Sequence, residues 1–148
     1  MKTSTPNTLR LYLIRHGETE WLLSGRHTGR TDIALTPNGE HEARELGKHL
    51  LDIPFAQVLT SPLKRALQTC EMVGLNQTAE IEPDLAEWDY GDYEGQRSAD
   101  IRKERLDWNV YRDGCPRGDM PAQVSARADR LIARLRKMDS NIALFAHG

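Results

Sequence analysis

The sequence is poor in cysteine, with Cys70 and Cys115 its only two among 148 residues. Two cysteines make neither a disulfide framework nor a metal cluster. Five histidines are present, but no Cys-x-x-Cys or His-Glu-x-x-His pattern, which argues against a zinc site. A reducing, cytoplasmic setting is the default for such a chain. Net charge of either sign is also lacking. Against 20 basic residues stand 22 acidic ones, leaving a formal charge of −2, so no global field points to nucleic acid or a membrane as partner. No apolar run is long enough to span a bilayer, and residues 1–7 are polar, without the hydrophobic stretch of a secretory signal. There is no internal repeat, low-complexity tract or linker. No heptad pattern or obvious exposed apolar stripe speaks to oligomeric state. A single domain with a respectable core fits this length.

What the chain does have begins at Leu11-Tyr12-Leu13-Ile14-Arg15-His16-Gly17. Residues 9–14 read as a strand apolar enough to be buried on both faces. A strand that runs into a cation, an imidazole and a glycine is an odd thing to build for packing alone. Ligands of open α/β sheets bind at the carboxyl ends of strands. His16 offers a nucleophilic nitrogen near neutral pH, and Arg15 a planar fork suited to phosphate. Residues 18–31 read as loop, dense in glycine and cations at Ser24-Gly25-Arg26-His27-Thr28-Gly29-Arg30. Thr36-Pro37 opens a helix as N-cap and first-turn proline. Ala43, Leu46, Gly47 and Leu50 mark its buried face, while His41 and His49 read as solvated.

Residues 57–60 form a second strand, followed by Ser61-Pro62, which looks like the same cap-plus-proline device. Leu63, Ala66, Leu67 and Cys70 give the next helix an apolar stripe. Arg65 lies off it, so the ordinary reading is a solvated arginine, although a strand–helix junction favours anions. Residues 80–82 suggest an edge strand, and residues 83–95 an irregular stretch rich in aromatics and acids. Glu87 sits there between apolar neighbours, which would raise its pKa and suit it to proton transfer. Asp89, Asp92 and Glu94 share the run, and the pattern alone does not select among the four. Trp88, Tyr90 and Tyr93 read as pocket wall, with core the alternative. Residues 98–108 suggest a charged surface helix, 113–119 a loop, and 124–138 a long amphipathic helix. Ile142-Ala143-Leu144-Phe145-Ala146 is another buried strand, and it runs into His147-Gly148. Alternating strands and helices favour an α/β fold with an at least partly parallel sheet. Adjacent parallel strands would bring His16 and His147 to one crevice.

Arg15-His16-Gly17-Glu18-Thr19-Glu20-Trp21, Ser61-Pro62-Leu63-Lys64-Arg65-Ala66 and Ala146-His147-Gly148 together resemble the histidine phosphatase superfamily, which includes the cofactor-dependent phosphoglycerate mutases. The segments 24–32, 87–95 and 108–116 are similar to its sugar-bisphosphatase branch, the sedoheptulose 1,7-bisphosphatase type. The resemblance covers essentially everything from Arg10 onward. It implies a three-layer α/β/α fold with a mostly parallel central sheet. It implies a nucleophile at His16 that becomes a phosphohistidine, phosphate-binding roles for Arg15, Arg65 and His147, and a general acid at Glu87. Thr28 and Gly29 match a backbone segment that meets substrate, and Tyr90 one that lines the same pocket. Residues 1–148 are expected to form one domain of this family. Members normally continue past the second His-Gly, so the family's C-terminal segment is expected to be lacking.

The function implied is a metal-independent phosphatase of small phosphorylated metabolites, sugar phosphates foremost, with no cofactor and no partner beyond the substrate. Two alternatives are a phosphoglycerate mutase and an inactive binding member of the fold. Glycolytic mutases carry a longer basic insertion after the Glu87-type motif. Here only a short segment separates Gly95 from Asp119, which favours hydrolysis. The intact set Arg15, His16, Arg65, Glu87 and His147 speaks against an inactive member.

Overall fold

The computed structural model describes residues 8–148; the polar segment 1–7 lies outside them. In chain order the elements are β1 (Arg10–Arg15), α1 (Glu20–Leu23), α2 (Pro37–Leu50), β2 (Gln57–Thr60), α3 (Lys64–Val73), β3 (Ala79–Ile81), α4 (Ser98–Glu104), α5 (Val110–Asp113), α6 (Pro121–Leu135) and β4 (Asn141–Ala146). Short 3₁₀ turns punctuate the stretch between β3 and α4. The strands form a four-stranded sheet in the order β1-β4-β2-β3, with every pair parallel.

Alternation along β4 builds the layers, because successive strand side chains point to opposite faces. Ala143 and Phe145 join Ile14 and Val58 against Ala43 and Leu50 of α2 and Cys70 and Val73 of α3. Ile142 and Leu144 join Leu59 on the other face, against Leu131 and Leu135 of α6. The three-layer α/β/α arrangement follows. A third cluster, Trp88, Ile101, Trp108 and Cys115, packs the segment between β3 and α6.

Several expectations hold in detail. Thr36 caps α2, its hydroxyl accepting from the Gly39 N–H at 3.0 Å, and His41 and His49 are exposed. Others are corrected. Strand β1 is not buried on both faces: it lies at a sheet edge, and Leu13 is 77% exposed. Helix α6 covers β2 and β4 and does not reach Leu11 or Leu13. Ser61-Pro62 does not open α3, which starts at Lys64 with Leu63 in the cap position and no side-chain cap. The reason is the sheet ladder, which continues through Ser61, whose N–H donates to the Phe145 carbonyl at 2.8 Å. Residues 18–31 are not all loop, since Thr19 caps the short α1 by accepting from the Leu22 N–H. Helix α4 ends before Trp108, which turns inward and donates its indole N–H to the Gly114 carbonyl.

The chain after β1 and the first turn of α2 touch backbone to backbone. A Cβ on Gly17 would lie 2.6 Å from the Gly39 carbonyl oxygen, and one on Gly39 would overlap the Glu18 backbone. Glycine is required here by close approach rather than by torsion. Gly39→Ala is therefore expected to destabilise the fold by about 1–3 kcal/mol through overpacking. Helix propensity alone would have alanine stabilise by ~1 kcal/mol. Urea unfolding decides between the two signs.

Candidate active site

Strands β1 and β4 pair in parallel with Arg15 opposite Ala146, and the His16 N–H continues the ladder to the Ala146 carbonyl at 3.1 Å. Both chains therefore leave the sheet at one level. Their imidazoles, His16 and His147, face the same crevice with ring centres 5.4 Å apart.

His16 Nδ1 lies 2.8 Å from the Gly17 carbonyl. A carbonyl can only accept, so Nδ1 carries the proton and Nε2 presents its lone pair. Burial is the largest cause that lowers the His16 pKa to about 4; the Gly17 bond works against it, and Arg65 and Arg15 add to it. The result is a neutral imidazole at pH 7. His147 is lowered to about 3, again first by burial and then by Arg65, His16 and Arg15. Its Nε2 bonds Ser61 Oγ at 2.8 Å.

Arg65 is not solvated: it is 0% exposed. It lies on the buried face of α3 beneath the loop that follows α1. Its guanidinium donates to the carbonyls of Gly29 at 2.9 Å, Thr28 at 3.1 Å and Thr31 at 3.2 Å. On the other side of that loop Glu94 accepts from the N–H groups of Gly29 at 2.6 Å and Thr31 at 3.1 Å. Thr28 and Gly29 thus meet the site through their backbone, as Arg65's acceptors. Among the described residues, Arg65 Nε and His147 Nδ1 are buried with no hydrogen-bond partner. The Arg15 side chain folds back over the turn at His147, for a Cβ on Gly148 would lie 2.9 Å from its Nε.

Among the four acids left open by the sequence, geometry separates Glu87. Asp89 accepts from the Gly91 N–H, Asp92 pairs with Arg117, and Glu94 holds the loop. Glu87 Oε2 instead lies 3.9 Å from His147 Nδ1, while its Oε1 accepts from the Trp88 N–H at 2.7 Å. Burial raises the Glu87 pKa; the Trp88 bond and Arg65, Arg15 and Arg127 oppose the rise. Tyr90 stacks on His27, ring centres 4.6 Å apart, and lines a cleft with Glu87 and Trp88. Tyr93 does not line that cleft. It packs on Trp108 in the third core cluster, because the turn at Gly91–Tyr93 directs it inward.

Some site residues escaped sequence reasoning. Ser61 reads as a helix cap but is buried and holds His147. Its position at the carboxyl end of β2, matching those of His16 and His147, was the available signal. Arg127 and Asp119 form a buried pair at 2.8 Å, and Arg127 also donates to the Glu87 carbonyl at 3.1 Å. No local pattern marks that pair. Arg30 donates to the same carbonyl at 3.1 Å. Among the described residues, no three His, Cys, Asp or Glu side chains group as they would around a metal ion.

Residues 11–148 match the histidine phosphatase superfamily, branch 1. The chain belongs to this superfamily. The histidine phosphatase domain is 45% identical over 143 residues to an acid phosphatase of Mycobacterium tuberculosis, covering 94% of this chain and 70% of that protein. It is 38% identical to a sedoheptulose 1,7-bisphosphatase of Saccharomyces cerevisiae, covering 95% of this chain and 64% of that protein. A solved structure of an open reading frame from Mycobacterium tuberculosis superposes with a TM-score of 0.87 at 40% identity, covering 93% of this chain and 73% of that one. The chain thus spans about two thirds of the length of its relatives. No helix among the described residues is long and apolar enough to cross a membrane.

The lowered histidines make a pH prediction. An unfolded histidine takes its proton near 6.5, whereas folded His16 waits until about 4. Between those values the unfolded chain binds more protons, so stability declines as pH falls from about 6.5, and His16's share of the decline ends near 4. Glu87, with its raised pKa, acts in the opposite sense above the ordinary carboxylate value. Urea midpoints from pH 7 to 4.5 should fall more steeply for the wild type than for His16→Asn, a difference that isolates His16. NMR should show the His16 ring neutral at pH 5.5.

Proposed function

We propose that this histidine phosphatase hydrolyses small phosphorylated metabolites, sugar phosphates among them, through a phosphohistidine on His16. The observation that carries the reading is a neutral His16 with its Nε2 lone pair beside two buried nitrogen-bearing side chains, Arg65 and His147, each with a polar atom that no described residue pairs. Buried polar atoms are ordinarily paired, and phosphoryl oxygens suit both. The names of the relatives, an acid phosphatase and a sugar bisphosphatase, support the same class.

In the first step His16 Nε2 attacks phosphorus and a P–N bond forms. The P–O ester bond breaks, and the leaving oxygen takes a proton from Glu87, whose raised pKa keeps that proton available. Arg15 and Arg65 neutralise the equatorial oxygens, and His147 donates to one of them as the nearby dianion raises its pKa. This supply of positive charge calls for no metal ion. In the second step Glu87, now a carboxylate, takes a proton from water as the water attacks phosphorus. The P–N bond breaks, its electron pair returns to His16, and inorganic phosphate leaves. The covalent intermediate splits one difficult displacement into two easier ones, and the fixed site holds both in line.

His16→Ala is expected to remain folded, lose turnover and accumulate no acid-labile phosphate. Phosphate on that variant would overturn the assignment. Glu87→Gln should slow enzyme phosphorylation by alkyl phosphates by ~10²–10⁴-fold, with a smaller loss for aryl phosphates, whose leaving groups need less protonation. Equal losses in single-turnover kinetics would assign Glu87 to holding the pocket and the proton to another acid. Product analysis with 3-phosphoglycerate should give inorganic phosphate; an isomeric phosphoglycerate would indicate a mutase.

A further inference from the structure

We infer that the cleft beyond Glu87 receives the leaving group as an uncharged alcohol with an apolar face, so that the preferred substrate is a monophosphate and not a bisphosphate. This rests on the roles just proposed for His16 and Glu87. The cleft, of about 410 Å³, shares Glu87 with the reacting site and is walled by Trp88, Tyr90, Val110, Tyr111 and Val124. That volume lies in the range of small-molecule sites and admits one ring of hexose or benzyl size. Its walls present mostly carbon, with the hydroxyls of Tyr90, Tyr111 and Ser125 among them. The Trp88 indole N–H is spent on the Asp119 carbonyl at 3.1 Å. The Tyr90 ring is held flat against His27, and His27 is itself tied to Ser98 at 2.8 Å. Trp88 meets the Tyr111 ring edge-on.

Charge decides between the two substrate types. Among the described residues neither Lys nor Arg lines the cleft, and its one side-chain carboxylate is Glu87. None of the neighbouring arginines lines it. Arg127 is buried against Asp119, Arg112 pairs with Asp113 and Asp107, and Arg30 donates to the Glu87 carbonyl. A second phosphate placed here would leave water to face a carboxylate and aromatic carbon without a counter-cation, which opposes binding. An apolar or ring-faced alcohol would gain contact with the aromatic walls. The yeast relative is named for a bisphosphate; the lining of this cleft supplies no cation for a second phosphate.

The test compares three primary alkyl phosphates, whose leaving groups need similar protonation: benzyl phosphate, glucose 6-phosphate and fructose 1,6-bisphosphate. The chain should show kcat/KM for benzyl phosphate at least ~10-fold above that for the bisphosphate, the scale of one missing charge-assisted hydrogen bond. Ser125→Lys places a cation at an exposed rim position on α6 and should narrow or reverse that ratio. A wild-type preference for the bisphosphate, with phosphate still trapped on His16, would overturn the inference while leaving the proposed chemistry intact. A binding measurement separates the opposite case. Benzylphosphonate should bind ~10-fold more tightly than inorganic phosphate, read by tryptophan fluorescence. That result in a chain without turnover would uphold the cleft and overturn the proposed reaction, whereas equal affinities would overturn the cleft assignment.

Discussion

A single buried guanidinium organises this site. Arg65 is enclosed among three backbone carbonyls of the loop at Thr28, Gly29 and Thr31. Burying a cation is costly unless something replaces water around it. Carbonyl dipoles do so here without neutralising it. A carboxylate partner would have consumed the charge, whereas Glu94 stands on the far side of the loop and holds the N–H groups whose carbonyls face Arg65. The loop is thereby shaped from both sides. Thr69 extends the same framework, accepting from the Gly17 N–H while donating to the Arg65 carbonyl. The cation, the turn after His16 and the helix that carries Arg65 are one hydrogen-bonded unit.

The same desolvation acts on the neighbours with opposite consequences. Burial favours the neutral form of every titratable group. For His16 and His147 that means holding a proton less tightly, and for Glu87 holding one more tightly. One physical cause thus acts on both kinds of group in one crevice, and the opposite shifts follow from chemical type rather than from separate tuning; the proposed roles of nucleophile and acid draw on that difference. The segment that carries Glu87 is held by its own carbonyl, which accepts from both Arg30 and Arg127. Those contacts make the acid's position a property of the β3–α6 segment instead of the sheet.

That segment is also where members of one fold can diverge. The sheet ends present His16, Ser61 and His147, while the third core cluster, built on Trp88, Ile101 and Trp108, supports the wall of the cleft. A fold hosts many activities because such grafted walls change without disturbing the layers below.

The sequence by itself determined the elements with local causes. Thr36 and Pro37 announce α2, the apolar runs announce β2 and β4, and the repeated His-Gly places two imidazoles at strand ends. These readings survive because capping, alternation and strand termination depend on neighbours a few residues away. Only the tertiary structure decided that β1 is an edge strand, since Leu11 and Leu13 have the same side chains whether or not α6 reaches them. It alone turned Arg65 from a surface cation into a buried one, because its acceptors lie more than 30 residues away in sequence. It set Glu87 apart from the other three acids by placing it 3.9 Å from His147, while Asp92 and Glu94 meet Arg117 and the loop at Gly29. It also changed Ser61 from a helix cap into the partner of His147, since the sheet ladder runs one residue beyond the strand. In each case the deciding partner is distant in sequence, and a one-dimensional pattern carries no record of which distant groups will share a dielectric environment.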